Sequence, residues 1–260
     1  MPNLKLIRQA VAKLLDGPPL VVVLSGGTTG IGSYVADSLG KTFSKHGQKL
    51  RVYIVGRNAS RAEEVIARNR SVSPGSDWRF IQVKDLALIS DVDRACEEIS
   101  RQESTQPFAG GPSRVDLLYM SHCYPILKEP STTQEGLDAF LSTTYYSRIR
   151  FIMQLTLLLT ASPLSGHAIS IYAGSFEEGN KPGELPMGCP SPDTYGVSSV
   201  RKHTSFMKTF LFEDLAEKNA GRLRLTHIYP GLVDGPTFYS NEMPAWFRII
   251  WTIMKPLLSW

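Results

Sequence analysis

Two groups of residues in this 260-residue chain have types and spacings that could do chemistry. The first is the run Ser25-Gly26-Gly27-Thr28-Thr29-Gly30-Ile31-Gly32. Gly26 can take a tight turn. Gly30 and Gly32 let backbone approach a pyrophosphate, and a helix starting there would turn unpaired N–H groups and a positive dipole end toward phosphates. The second is Arg57, with Arg61 one turn on. In dinucleotide folds the residue after the second strand meets the adenosine ribose: an acid there selects NAD, and an arginine accommodates a 2′-phosphate. Arg57 therefore predicts NADP(H).

Both groups need particular elements to hold them. The apolar run Leu20-Val21-Val22-Val23-Leu24 reads as a strand leading into the glycines. Tyr34, Val35, Leu39 and Phe43 then recur at helical spacing over about 30–45. Leu50–Val55 is a second strand, and Arg57 follows it after Gly56. Further strands are expected at 79–83, 115–120, 167–172 and 224–229, with helices at about 59–70, 90–103, 135–161 and up to 218. Residues 3–15 read as a short amphipathic helix, with Leu4, Ile7, Val11 and Leu14 on one face. The alternation implies one α/β domain over 1–260, a Rossmann-like doubly wound parallel sheet of order 3-2-1-4-5-6.

Composition narrows the classes. Hydrophobic residues make up 42% and charged residues 20%, which is globular. The net charge of +4 is modest and its basic residues are scattered, so no nucleic-acid partner is expected. Cys96, Cys123 and Cys189 are an odd, widely spaced set; they predict no disulfide framework, no metal site and a reducing, cytoplasmic setting. No secretory signal and no stretch of membrane-spanning length is evident.

The pattern Gly-x-x-x-Gly-x-Gly resembles that of the short-chain dehydrogenase/reductase family, over about residues 18–235. It is most similar to a fungal branch associated with secondary metabolism, through Val52-Tyr53-Ile54-Val55-Gly56-Arg57-Asn58 and Tyr145-Tyr146-Ser147-Arg148. The resemblance implies that Gly26, Thr28, Gly30, Ile31 and Gly32 hold the cofactor. It also implies that Asp85 and Leu86 meet the adenine, that Ser121 lies by the cofactor, and that Pro230, Gly231 and Val233 cap the nicotinamide. Tyr195 matches the tyrosine of the family's Tyr-x-x-x-Lys and would donate a proton. Several family positions differ. The lysine position holds Ser199; Lys202, seven residues after Tyr195, is the substitute considered. Thr144 stands where the family has an Asn, and Met120-Ser121-His122-Cys123 replaces Asn-Asn-Ala-Gly. Ala173 occupies the carbonyl-binding serine position, leaving Ser175 as the nearest hydroxyl. His122 and Cys123 lack neighbouring ligands for a metal.

A tyrosine without the lysine stays protonated at neutral pH, so it can donate in reduction but is a poor base for oxidation. The expected activity is NADPH-dependent reduction of a carbonyl on a small organic substrate, as an NADP-dependent short-chain reductase. The rival is a non-redox isomerase, cyclase or binding protein on the same fold. The apolar helix at about 244–258 is expected to line the substrate pocket, with peripheral membrane contact as its alternative. The helices at 135–161 and up to residue 218 would serve a homodimer. The family's seventh strand is expected to be missing, leaving an unpaired sheet edge.

Overall fold

A computed structural model describes residues 3–124, 130–174, 176–177, 187–231, 233–239 and 243–258. At its centre is a six-stranded, all-parallel sheet of order β3-β2-β1-β4-β5-β6. The strands are β1 (Leu20–Ser25), β2 (Leu50–Gly56), β3 (Asp77–Gln82), β4 (Leu117–Met120), β5 (Gly166–Ile171) and β6 (Leu223–Ile228). Helices α1 (Leu4–Lys13), α2 (Gly30–Thr42), α3 (Ala59–Val72) and α4 (Ile89–Thr105) precede β4 or flank it. After β4 come α5 (Ala139–Leu141), α6 (Ser147–Thr160), α7 (Val197–Lys218) and α8 (Ala245–Leu258).

The apolar runs explain the burial. Every residue of β1 and β2 is buried, because helices cover both faces of a parallel sheet. Val21, Val23, Tyr53, Ile99, Leu118 and Phe151 belong to the core on one face; Val22, Leu24, Phe43, Val52 and Trp78 belong to the core on the other. Strand order reverses between β1 and β4. Ligands bind in such sheets at that crevice, beyond the carboxyl ends of the strands.

The opposite end of the sheet is closed by buried charge. Arg51 on β2 pairs with Asp77 at 2.8 Å and with Glu103 on α4 at 2.7 Å, and Tyr53 donates to the same Glu103 oxygen at 2.7 Å. On β4's side, the Val21 N–H donates to Asp116 at 2.7 Å, and so does the Ser162 hydroxyl.

Several expectations shift in detail. The helix expected over 135–161 is in three parts. Asp138 caps the first, α5, by accepting the Leu141 N–H at 2.7 Å; a π-helical turn, Ser142–Tyr146, then leads into α6. Asp138 is also held by a bridge to Thr132, which keeps residues before it out of the helix. The next helix begins at Val197, with Gly196 extended, so Tyr195 lies outside it. Among the described residues nothing pairs with the outer side of β6, and Ile228 and Tyr229 are exposed. No helix among them is long and apolar enough to cross a membrane. The α1 helix has no buried residue, and α8 exposes Trp246, Ile249, Ile250 and Ile253.

The buried cluster at the closed end predicts a stability cost. Glu103→Ala would leave Arg51 and Tyr53 short of their shared carboxylate and should lower the unfolding free energy by about 3–5 kcal/mol in urea denaturation. A loss below about 1 kcal/mol would mean that the cluster does not hold α4 to the sheet.

Candidate functional site

The glycine turn lies at the reversal point, against the chain leaving β4. Gly26 has φ of +82°, and a Cβ there would stand 2.5 Å from the His122 backbone nitrogen. A Cβ on Gly32 would lie 2.3 Å from the Gly26 carbonyl oxygen and 2.6 Å from the Ser121 hydroxyl. Gly30 differs: φ is +53° and nothing stands within 4 Å of where its Cβ would be. That open side faces the start of α2, whose N-cap residue Thr29 makes no side-chain cap bond. The first-turn N–H groups therefore have no side-chain acceptor, which suits a phosphate. Ser121 reaches the Ser25 and Gly26 carbonyls at 3.4 Å. Thr28 packs over the end of β2, where a Gly56 Cβ would meet its methyl at 2.8 Å. Ile31 is half-buried at the helix start.

Arg57 and Arg61 are exposed and form no ion pair among the described residues. Asn58 caps α3 by accepting the Arg61 N–H at 2.9 Å, so the backbone places both arginines at one corner. Asp85 is exposed and accepts the Ala87 N–H at 3.0 Å. It lines a cleft of about 360 Å³ with Lys84, Leu88, Tyr124, Ser131 and Ala139. The Leu86 side chain is buried in the core, so only its backbone could meet an adenine.

At the other end of the crevice, the Tyr195 hydroxyl donates to the Asp138 carboxylate at 2.8 Å. Burial raises its pKa above the usual phenol value, and the Asp138 bond raises it further. Surrendering that proton would put two anions side by side. Ser199 donates to the Thr194 and Gly196 carbonyls at 2.7 and 3.1 Å, stitching the chain into α7. Because Tyr195 precedes the helix, four residues do not carry it to Ser199 by one helical turn. Lys202 is half-buried on α7. Ser175 lies outside the described residues, as do 178–186 of the following loop. Thr144 donates to Phe140 within its own helical turn and has no relay role there.

Several residues that the sequence reading did not assign converge here. His122 is buried between the Ser25 hydroxyl at 2.9 Å and the Ser147 hydroxyl at 3.0 Å; burial drives its pKa well below the usual range, so it stays neutral. Arg148 is fully buried, donates to the Ser170 hydroxyl at 2.8 Å and the Ile171 carbonyl at 2.9 Å, and also reaches the His122 carbonyl. Burial lowers its pKa to about 10. Lys208 is equally buried and donates to the same Ser170 hydroxyl at 3.2 Å; burial holds its pKa well below the usual lysine value. Arg201 sits among the rings of Tyr172, Phe176 and Tyr229 at 5.6–5.9 Å. Arg148 stood in the Tyr145-Tyr146-Ser147-Arg148 stretch and His122 after β4, but nothing in their spacing marked them, Lys208 and Arg201 as neighbours.

The chain after β6 returns to the glycine turn. Pro230 and Gly231 are exposed, with Gly231 at φ +73°, and Val233 is half-buried. A Cβ on Gly235 would lie 3.5 Å from Gly30, and Tyr34 donates to the Asp234 carbonyl at 3.2 Å. The Asp234 carboxylate takes hydrogen bonds from Tyr239 at 2.8 Å and Trp251 at 2.9 Å and pairs with Lys255 at 2.8 Å. Lys255 foremost among these holds the Asp234 pKa down at about 2. This ties α8 to the segment beside the glycine turn. Among the described residues no His, Cys, Asp and Glu cluster could hold a metal.

No family model matches the chain. Short-chain dehydrogenase/reductase SAT2 of Stachybotrys chartarum is 60% identical over 259 residues, covering 100% of this chain and 73% of the relative. Oxidoreductase andH of Emericella variicolor is 32% identical over 257 residues, covering 98% of this chain and 70% of its own length. Among solved structures, an alcohol dehydrogenase from Thermococcus sibiricus complexed with 5-hydroxy-NADP has a TM-score of 0.57 at 15% identity. It covers 83% of this chain and 77% of its own. A metagenomic short-chain oxidoreductase in complex with NADP also scores 0.57, at 16% identity, covering 83% of both chains. The structural likeness carries the fold, and the sequence likeness over the whole chain carries the relationship: this chain belongs to the short-chain dehydrogenase/reductase family.

Proposed function

We propose that the protein is an NADP(H)-dependent oxidoreductase that reduces a carbonyl on a small organic substrate of fungal secondary metabolism. One observation carries this reading: the uncapped start of α2 beside Gly30, whose missing Cβ leaves open space at a positive dipole end. A pyrophosphate fits that cradle. Ser121 and the 233–235 segment would bound it on either side, and Asp85 would stand toward the adenine. Arg57 and Arg61 offer two uncommitted guanidinium groups where a 2′-phosphate would sit. Two solved structures of similar fold, complexed with 5-hydroxy-NADP and with NADP, support the same choice.

When bound, NADPH supplies a hydride; the chain must orient the carbonyl, exclude water and deliver a proton to the oxygen. The Tyr195 phenol reaches this end of the sheet, in one aromatic cluster with Tyr172, Tyr124 and Phe140. Burial first and the Asp138 bond second raise its pKa, so it is protonated at neutral pH. A protonated donor favours reduction over alcohol oxidation. The non-redox alternative keeps one observation in its favour, the capture of the Tyr195 hydroxyl by Asp138. NADPH consumption measured against a panel of ketones separates the two readings.

Two measurements bear on the cofactor. Arg57→Ala should weaken NADPH binding at least tenfold and leave NADH binding unchanged, read by isothermal titration; equal affinity of the wild-type protein for both cofactors would sink the assignment. Ser199→Lys places an ammonium where the family has its lysine, yet it removes the two bonds that stitch Thr194 and Gly196 to α7. NADPH affinity should fall in the folded variant. A tighter complex would show that the site accepts the ordinary family arrangement.

A further inference from the structure

The two carboxylate oxygens of Asp138 do different work. Oδ1 accepts the Leu141 N–H at 2.7 Å and caps α5. Oδ2 accepts the Tyr195 hydroxyl at 2.8 Å, from 57 positions along the chain. The backbone around Asp138 is pinned as well. Thr132 bridges it, the Ala139 N–H donates to the Ser131 carbonyl at 2.8 Å, and the Ser142 N–H donates to the Asp138 carbonyl at 2.8 Å. The carboxylate cannot turn from the phenol without giving up the helix cap. Its neighbours Ser131, Thr132 and Ala139 line the cleft of about 360 Å³ that Asp85 also lines, so the pair stands at the wall of an open space.

The other titratable groups facing Tyr195 are Tyr124 after β4, Cys189 on the segment before Tyr195, and Tyr172 after β5. Cys189 faces Asp138 too. Lys84 and Asp85 line the cleft, and Arg201 of α7 stands over the Tyr172 ring. From α7 itself, Val197 and Val200 pack into the same cluster. Asp138 is therefore the charged group in hydrogen-bond contact with the phenol. An ionised carboxylate only accepts. While Asp138 is ionised, the single Tyr195 proton is committed to it in a charge-assisted bond, and a substrate carbonyl, which also only accepts, finds no donor there. Protonation on Oδ2 reverses the bond. Oδ2–H then donates to the Tyr195 oxygen, the phenol proton is released toward the cleft, and Oδ1 keeps its cap.

We propose that Asp138 is a positioning residue for the reduction: its neutral acid form turns the Tyr195 proton toward the substrate carbonyl, and its ionised form holds the enzyme at rest. This rests on the reductase reading above, with Tyr195 as donor. As the carbonyl carbon accepts the hydride, its π electron pair moves to oxygen, which takes the Tyr195 proton. The Asp138 proton follows onto the Tyr195 oxygen, so a neutral phenol and a carboxylate remain. Asp138 is half-buried, and it regains its proton from water. Reduction accordingly speeds up as pH falls.

The test uses the full chain, with kcat measured at saturating NADPH and a ketone that wild type reduces. Between about pH 8 and about pH 5 the wild-type kcat should rise at least tenfold. Asp138→Asn keeps an oxygen for the Leu141 cap and puts an N–H donor toward the Tyr195 oxygen, so its kcat should vary less than twofold over that range. Asp138→Ser, which keeps a cap but is too short to reach the phenol, should be equally flat. Both variants should melt within a few degrees of wild type. A second readout needs no turnover: phenolate formation followed by ultraviolet absorbance, with Tyr195→Phe as the blank that assigns it. Tyr195 should ionise at least about one pH unit lower in Asp138→Asn, because the neighbouring negative charge is gone. The proposal is overturned if wild-type kcat is flat with pH, if Asp138→Asn keeps the wild-type profile, or if Tyr195 ionises at the same pH in both. Absence of NADPH turnover by wild type at every pH would instead remove the reductase reading, and the phenolate titration would still decide whether Asp138 holds the Tyr195 proton.

Discussion

The close approach of the β1–α2 turn to the chain leaving β4 is the constraint on which the rest of the site depends. A single methyl on Gly26 or Gly32 would collide with backbone, at the His122 nitrogen or the Gly26 carbonyl. Backbone cannot swing aside as a long side chain can, so any larger residue must separate β1 from β4 or move α2. Either change would pull the open N-terminus of α2 away from the crevice. The same contact brings the Ser25 hydroxyl to His122, and through His122 to Ser147, so the turn is locked to α6 as well.

That lock continues into a floor of buried cations. Arg148, one residue after Ser147, bonds the carbonyls of Met120, His122 and Ile171, at the buried carboxyl ends of β4 and β5. It shares Ser170 with Lys208 from α7. One serine hydroxyl thus joins two helices and a strand. Burying two basic groups this deep without carboxylate partners penalises their charged forms, which is why both pKa values fall. That penalty is confined to the substrate end of the sheet, while the opposite end is closed by paired charges, Arg51 with Asp77 and Glu103.

The family's lysine position holds Ser199, which bonds the carbonyls before α7. Arg201 on the same helix and Arg148 on α6 stand over the Tyr172 ring. Tyr195 meanwhile has a carboxylate for a neighbour, the opposite of the electrostatics that a proton donor needs.

The sequence alone determined the sheet, its order, the glycine turn and the place of Arg57 just past β2. Each of these is written in contiguous residues: an apolar run that both faces of a parallel sheet require, glycines where only a hydrogen fits, a cap before a helix. It also exposed the departures at Ser199, Thr144 and Ala173. It did not place Tyr195, because the start of α7 depends on an extended Gly196 and on Asp138 reaching across from another helix. The meeting of Arg148, Tyr172, Arg201 and Lys208 was decided by tertiary structure. These residues come from two helices and the end of a strand, separated by up to sixty positions. No local spacing records that their side chains will share one buried volume.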